Sequence, residues 1–281
     1  MNKNIKFPYS KGFTHGGNFH SDDVFATAFL RLLNPNIEIY RGFIVPENYD
    51  GIVYDIGGGE FDHHMKDNEC REYDGKPGRP YAAFGKLWRK YGDLLVSSFV
   101  KQNLDNEFIS ILDESDNTGK INTLSSIIYN LNGFWYEEDS KEKQDERFFD
   151  AVDMAQKILV RYIEKFEGVE KAEKYVLECY QLSKDGFVIF DKYVPWKNTL
   201  KNTDVKVVLY PSNRGGYNVE RVENSGFEFP EVWWGTRDEA IVPGLTFCHS
   251  SGFLACFDTM DNAIKAIKNR IKELGCENAK E

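Results

Sequence analysis

Three short apolar stretches near the start of the chain each run into a turn: "KGFTHGG" (11–17), "IEIYR" (37–41) and "GIVYDIGGG" (51–59). Between the first two stands "SDDVFATAFLRLL" (21–33). Its apolar residues recur at helical spacing behind Ser21 as N-cap, with acids in the first turn. Strands that alternate with helices bury their apolar faces when the strands lie parallel and the helices cover the sheet. That arrangement has a chemical consequence: the carboxyl ends of parallel strands face one crevice, where side chains far apart in sequence converge.

Of the five histidines, four lie at these strand ends: His15 and His20 in "THGGNFHSDD", His63 and His64 in "FDHH". Asp22, Asp55 and Asp62 stand with them. Any one of these residues alone reads as a surface polar group or a helix cap. Gathered at the junctions of one sheet, they predict a site. Imidazole and carboxylate together suit Mn²⁺, Fe²⁺, Co²⁺ or Zn²⁺, and the absence of cysteine from the cluster speaks against a structural zinc. A strand-end carboxylate can bridge two metals, and such a pair activates water and holds both oxygens in phosphoryl transfer. "GGG" at 57–59 is not a P-loop, since no Lys and Ser/Thr follow it.

Further along, "PYAAFGKLWRKYG" (80–92) reads as a helix opening at Pro80, and "DNEFISILDESDNTG" (105–119) as a helix running into a polar turn. Asp145 to about Ser183 reads as a helical connector with a break near Gly168. After it come the short strand candidates "GFVIF", "DVKVVLY", "YNVERV", "LTFCH" and "GFLACF", then the helix "MDNAIKAIKNRIKEL". The change of character predicts two domains, 1–183 and 184–281. The expected class is α/β: an N-terminal parallel-sheet domain joined by helices to a smaller α+β domain, with the site in the cleft between them.

Composition narrows the partners. A formal net charge of −10 opposes tight non-specific binding to long nucleic acid, which needs clustered Lys and Arg, but leaves a nucleic-acid substrate at a metal site open. No apolar run approaches the length of a membrane span, the N-terminus lacks a secretory core, and five scattered cysteines include no C-x-x-C pair. A cytoplasmic protein with reduced thiols is expected.

"FDHHM", with "THGGNFHSDD" and "VYDIGGG" before it, resembles the motif set of the DHH phosphoesterase superfamily. With "VPWK" (194–197), "WWGTRDEA" (233–240) and "FCHSSGFLA" (247–255), the chain is similar over nearly its whole length to one branch, the melanocyte-proliferating-gene exonuclease family. The resemblance implies roles residue by residue. His15 and Asp22 become metal ligands, with His20 where many superfamily members carry Asp. Asp55 becomes the bridging aspartate, His63 a ligand of the second metal, His64 the phosphate-contacting histidine and Asp62 its supporting carboxylate. Asp116 matches the last ligand, although Asp113 lies one turn earlier. His249, Ser251 and Gly252 would face the cleft.

Arg214 in "SNRGGY" suits a phosphate, since guanidinium matches phosphate geometry, but "NRGG" also reads as an ordinary surface turn. Trp233 and Trp234 read as core or interface ahead of base stacking. The expected activity is metal-dependent phosphodiester hydrolysis by metal-activated water at two Mn²⁺ ions (Mg²⁺, Co²⁺, Fe²⁺ or Zn²⁺ being alternatives). The resemblance implies a 3′-to-5′ exonuclease acting on single-stranded or short RNA or DNA. The rival readings are a hydrolase of a small phosphate compound, such as a dinucleotide, pyrophosphate or polyphosphate, and a metal- or nucleotide-binding protein without turnover.

Overall fold

The computed structural model describes residues 6–66, 69–73, 75–137, 139–237 and 241–277; Asp238 to Ala240, the end of "WWGTRDEA", lie outside them. The chain divides into two compact units, Met1–Glu167 and Gly168–Glu281.

The first unit opens with β1 (Lys11–His15), α1 (Ser21–Leu33), β2 (Glu38–Gly42) and β3 (Ile52–Val53). These strands form a parallel sheet in the order β2-β1-β3, with Phe13 of β1 opposite both Tyr40 and Val53. A polar hairpin follows, β4 (Cys70–Tyr73) against β5 (Lys76–Pro80). Then come α2 (Ala83–Tyr91), α3 (Ser98–Leu104), a π-helical turn at Asp105–Ile109, α4 (Ser110–Thr118) and α5 (Thr123–Tyr129). Helix α1 is buried from Ser21 through Leu30. Its Phe25 and Phe29 pack on Phe84 and Trp88 of α2, and full burial of each such side chain is worth about 1.5–3 kcal/mol.

Two helix boundaries differ from expectation. Pro80 does not open α2. It closes β5, where the missing N–H costs nothing on an edge strand and its carbonyl accepts from Arg71 Nη1 at 3.0 Å. The long helix α6 starts at Lys141 and runs unbroken to Gln181, through Gly168. A helical glycine costs only about 1 kcal/mol relative to alanine. Buried Ile163, Phe166 and Val169 on the same helix offset that. The compact units part inside this helix, ahead of the Lys184 point where the sequence changes character.

In the second unit, β6 (Phe187–Ile189), α7 (Lys197–Leu200), β7 (Val207–Pro211), β8 (Tyr217–Arg221), β9 (Leu245–Cys248), β10 (Leu254–Phe257) and α8 (Met260–Glu277) follow in order. The sheet order is β6-β7-β8-β10-β9; β6 and β7 pair parallel and the remaining neighbours antiparallel. Alternation sorts its two faces. Leu209, Val219, Ala255 and Phe257 pack with Ala263 and Ile267 of α8, while Val188, Val208 and Tyr210 pack with Trp196 and Leu200 on the other side. No helix among the described residues is long and apolar enough to cross a membrane.

Candidate metal centre

The chain leaves β1 for β2 on one side and returns to β3 on the other, so the strand order reverses at β1. That reversal opens the sheet's crevice at the carboxyl ends of β1 and β3. His15 is the last residue of β1, and Asp55 stands just beyond β3. Asp55 holds a left-handed backbone, φ 58°, a conformation that Asp and Asn tolerate better than other side chains. Its N–H is anchored on Phe61 O at 3.0 Å.

The Asp55 carboxylate divides itself between two groups. Oδ2 lies 3.3 Å from His15 Nε2, and Oδ1 lies 3.0 Å from His63 Nε2. On the first side Asp23 Oδ2 is also 3.3 Å from His15 Nε2. On the second, His63 Nε2 is 3.2 Å from Asp116 Oδ2 and 3.8 Å from Asp22 Oδ2. The donor atoms of His15, Asp23 and Asp55 lie within 4.8 Å of one another, as do those of Asp22, His63 and Asp116, and those of Asp55, His63 and His64.

A second layer orients these side chains. Asn117 Nδ2 donates to the carbonyls of Tyr81 (3.2 Å) and Asp113 (2.9 Å), which leaves its Oδ1 to accept from His63 Nδ1 at 3.1 Å. In the neutral ring that binds a metal, the His63 proton would therefore sit on Nδ1, leaving the Nε2 lone pair on the side of the carboxylates. His15 Nδ1 donates to Gly16 O at 3.0 Å with the same effect. Both Asp22 oxygens accept N–H groups at the start of α2, from Ala83 and Phe84, each at 2.8 Å. Asp62 accepts from Gly58 N at 2.7 Å and from His64 Nδ1 at 2.7 Å. Gly58 has φ 68°, so the turn that aims this N–H suits glycine.

Packing carboxylates and imidazoles together perturbs Asp22, Asp23, Asp55, His15 and His63. Burial raises Asp22 well above the usual carboxylate range, and the charges of Asp55 and Asp116 add to this. Burial also lifts Asp23, to about 7, against the pull of His15. At Asp55 burial is outweighed by His15 and His63, and the carboxyl falls to about 2. Burial would lower both histidines, but their carboxylate neighbours win: His15 is pushed up to about 9 and His63 to about 11.

Asp23 Oδ2, Asp55 Oδ1 and His63 Nε2 are all buried without a hydrogen-bond partner among the described residues. Buried polar atoms normally find partners, and here three orphans belong to one cluster. His63 Nε2 and Asp55 Oδ1 are close, yet do not meet hydrogen-bond geometry. Lone pairs from imidazole and carboxylate, mutually close and otherwise unmet, fit a divalent cation of the Mn²⁺, Fe²⁺, Co²⁺ or Zn²⁺ kind. Beside them opens a cavity of about 800 Å³ lined by His20, His63, His64, Asp116, Lys120 and Tyr129, among others.

Of the site residues read from sequence, His15, Asp22, Asp55, His63, His64 and Asp116 are brought together, with Asp62 behind His64. His20 joins none of the ligand groups. It stands exposed at the start of α1, its ring 5.9 Å from that of His15 and stacked on Tyr129 at 6.0 Å. Asp113 turns away from the centre to Arg71 Nη2 at 2.8 Å and Gly85 N at 3.3 Å. Asp23 is not among the expected ligands. It is the third residue of α1 and takes the His20 N–H at 2.8 Å on Oδ1, which frees Oδ2 toward His15. Its sequence signal is only its place one residue after Asp22.

In the second unit Arg214 lines a cavity that includes none of His249, Ser251 and Gly252. Those three form the turn between β9 and β10, where Gly252 N bonds His249 O at 2.9 Å and Ser251 N donates to His249 Nδ1 at 3.1 Å. Gly252 backs onto the Trp234 ring, which a Cβ there would meet at 2.5 Å. Trp233 is buried in the core, and the Trp234 indole donates to Phe229 O at 3.1 Å.

Relatives among known proteins match most of the chain. The human MYG1 exonuclease is 24% identical over 89% of this chain and 83% of its own length. The Dictyostelium discoideum MYG1 protein is 25% identical over 89% of this chain and 93% of its own. Among solved structures, RecJ from Thermus thermophilus, crystallised with Mg²⁺, aligns at a TM-score of 0.29 and 14% identity, covering 95% of this chain but 50% of RecJ. Residues 12–271 match the MYG1 exonuclease profile, described as "Uncharacterised protein family (UPF0160)". The chain belongs to that family.

Proposed function

We propose that this protein is a metal-dependent phosphodiesterase, a 3′-to-5′ exonuclease acting on single-stranded or short RNA or DNA. The observation that carries the reading is Asp55, one carboxylate whose two oxygens face two separate histidine–aspartate groups. His15, Asp23 and Asp55 would hold one divalent cation, and Asp22, Asp55, His63 and Asp116 the other, with Mn²⁺ the choice for this mixed donor set. Bound there, the cations would acidify water and offset phosphate charge. His64 is tethered through Nδ1 to Asp62, which leaves its other nitrogen toward the cavity. It is thus set to donate to a phosphate or leaving oxygen. The naming of relatives as exonucleases supports a nucleic-acid substrate.

A second reading, hydrolysis of a dinucleotide or another small phosphate compound, is favoured by the net charge of −10 and by Lys120 as the sole Lys or Arg lining the cavity among the described residues. The test incubates the protein with Mn²⁺ and 5′-labelled RNA and DNA oligonucleotides, dinucleotides and pyrophosphate. Shortening from the 3′ end with release of mononucleotides is expected, and Asp55→Asn, which keeps shape and backbone, should lose at least about 100-fold in rate. Cleavage of small compounds alone selects the second reading. Absence of cleavage with Mn²⁺, and on repeating the test with Mg²⁺, Co²⁺, Fe²⁺ and Zn²⁺, rejects both.

A further inference from the structure

Every arginine of the chain except Arg214 and Arg237 forms an ion pair with Asp or Glu among the described residues. In a chain of net charge −10, two guanidinium groups without acidic partners among the described residues are unexpected. Both line the same cavity, of about 610 Å³, on the second unit. No Asp or Glu is among the described residues that line it.

Three aromatic side chains, Tyr193, Tyr210 and Phe247, line the cavity as well, beside the polar Ser212, Asn213, Asn218 and Thr246. Phe247 of β9 forms part of the wall, with Arg237 Cζ 5.7 Å from its ring centroid. Tyr193 and Tyr210 meet edge-to-face at 5.3 Å and line it too. Arg214 rides the β7–β8 turn, which is closed by Gly215 N to Ser212 O at 3.1 Å and by Arg214 N to Ser212 Oγ at 3.2 Å. Glu220, which accepts from the Tyr210 hydroxyl, is neutralised by Lys197 at 2.6 Å and does not compete for either arginine.

We infer that this cavity is a nucleotide subsite: Arg214 and Arg237 grip a phosphate, and Phe247 with the tyrosines takes the base. Guanidinium offers paired donors to phosphate oxygens, and an aromatic face stacks on any base without reading its sequence. The volume lies in the range that encloses a small organic ligand. The choice of a nucleotide as ligand rests on the proposed nuclease reading, but the readout below is binding without metal, so the two fail separately.

The experiment is calorimetric titration of the full chain in EDTA with AMP, inorganic phosphate and adenosine. AMP should bind more tightly than either fragment, and added salt should weaken it. Arg214→Ala and Arg237→Ala should each weaken AMP about tenfold or more, and the double variant should abolish detectable binding. Phe247→Leu should weaken AMP but leave phosphate unchanged. Asp55→Asn should bind AMP like the parent while losing hydrolysis. Circular dichroism and Tm verify that the variants are folded, and Arg214→Lys gives a second, milder test at the same position. Failure of AMP to bind at millimolar concentration, equal binding of AMP and adenosine, equal binding of AMP and phosphate, or AMP affinity untouched by the double arginine variant would each overturn the inference.

Discussion

Asn117 accepts the His63 Nδ1–H at 3.1 Å and so decides which imidazole nitrogen faces Asp22, Asp55 and Asp116. Its own amide is fixed by the carbonyls of Tyr81 and Asp113, so it cannot flip without losing both. Asn117→Ala should therefore lower Mn²⁺ affinity about 10–100-fold, while Asn117→Asp, which keeps the acceptor, should retain most of it. Isothermal titration with Mn²⁺ measures both. Unchanged affinity in Asn117→Ala would mean that His63 finds its tautomer unaided.

The adjacent histidines should part company under substitution. His63 is buried among three carboxylates, whereas the His64 side chain is 62% exposed and tethered only to Asp62 at hydrogen-bond distance. His63→Ala should lose bound metal. His64→Ala should keep it and drop turnover by about 10²–10⁴. Metal analysis of both purified variants, beside their rates, separates the roles; equal metal loss would show the pair to be misassigned.

The metal-free protein should lose stability as pH rises. His15 goes from 6.5 to about 9 on folding and His63 to about 11, so their stabilisation is whole below about pH 6.5 and is lost through 9 and then 11. Asp23, raised from 3.8 to about 7, binds its proton more tightly in the folded state, so its favourable contribution is also lost as pH rises through 7. Asp55, lowered from 3.8 to about 2, acts oppositely, but only in acid. In EDTA, Tm should fall between pH 6 and pH 9. Saturating Mn²⁺, which takes the place of these protons, should reverse or flatten the trend. A Tm that climbs over this range in EDTA would contradict the assigned directions.

Gly85→Ala should be strongly destabilising. A Cβ on Gly85 would stand 1.8 Å from Asp113 Oδ2 and 2.8 Å from Arg71 Nη2. Those groups form a buried ion pair that Asp105 extends. Breaking such a pair costs about 3–5 kcal/mol, readable as a lower urea midpoint. A midpoint shift below about 1 kcal/mol equivalent would mean that α4 simply moves aside.

The strand-end residues are legible because β1 and β3 are apolar runs with a sharp end, and parallel-sheet physics makes every such end face one crevice. Asp23 is hidden by its own ordinariness, since an acid in the first helical turn already has a reason to be there. Choosing between Asp113 and Asp116 needs Arg71, which lies on a hairpin too polar and glycine-rich to read as strands. Gly168 misleads because a lone exposed glycine costs a helix only about 1 kcal/mol, which the burial of Phe166 and Val169 beside it offsets, and that burial is invisible in a single sequence. The HSSG turn draws attention by composition, whereas Arg237 stands out only once the arginines outside its cavity have found their carboxylates.

The left-handed backbone at Asp55 constrains how this site can decay. Asn and Gly are the residues best able to occupy φ 58°, and each is one base change from an aspartate codon. A lineage can therefore lose this carboxylate in one mutation while the sheet, the Phe61 anchor and the surrounding histidines and aspartates stay in place. Under the proposed function, folded proteins that bind but do not hydrolyse are thereby close neighbours of this chain in sequence space, and position 55 is the place to recognise them.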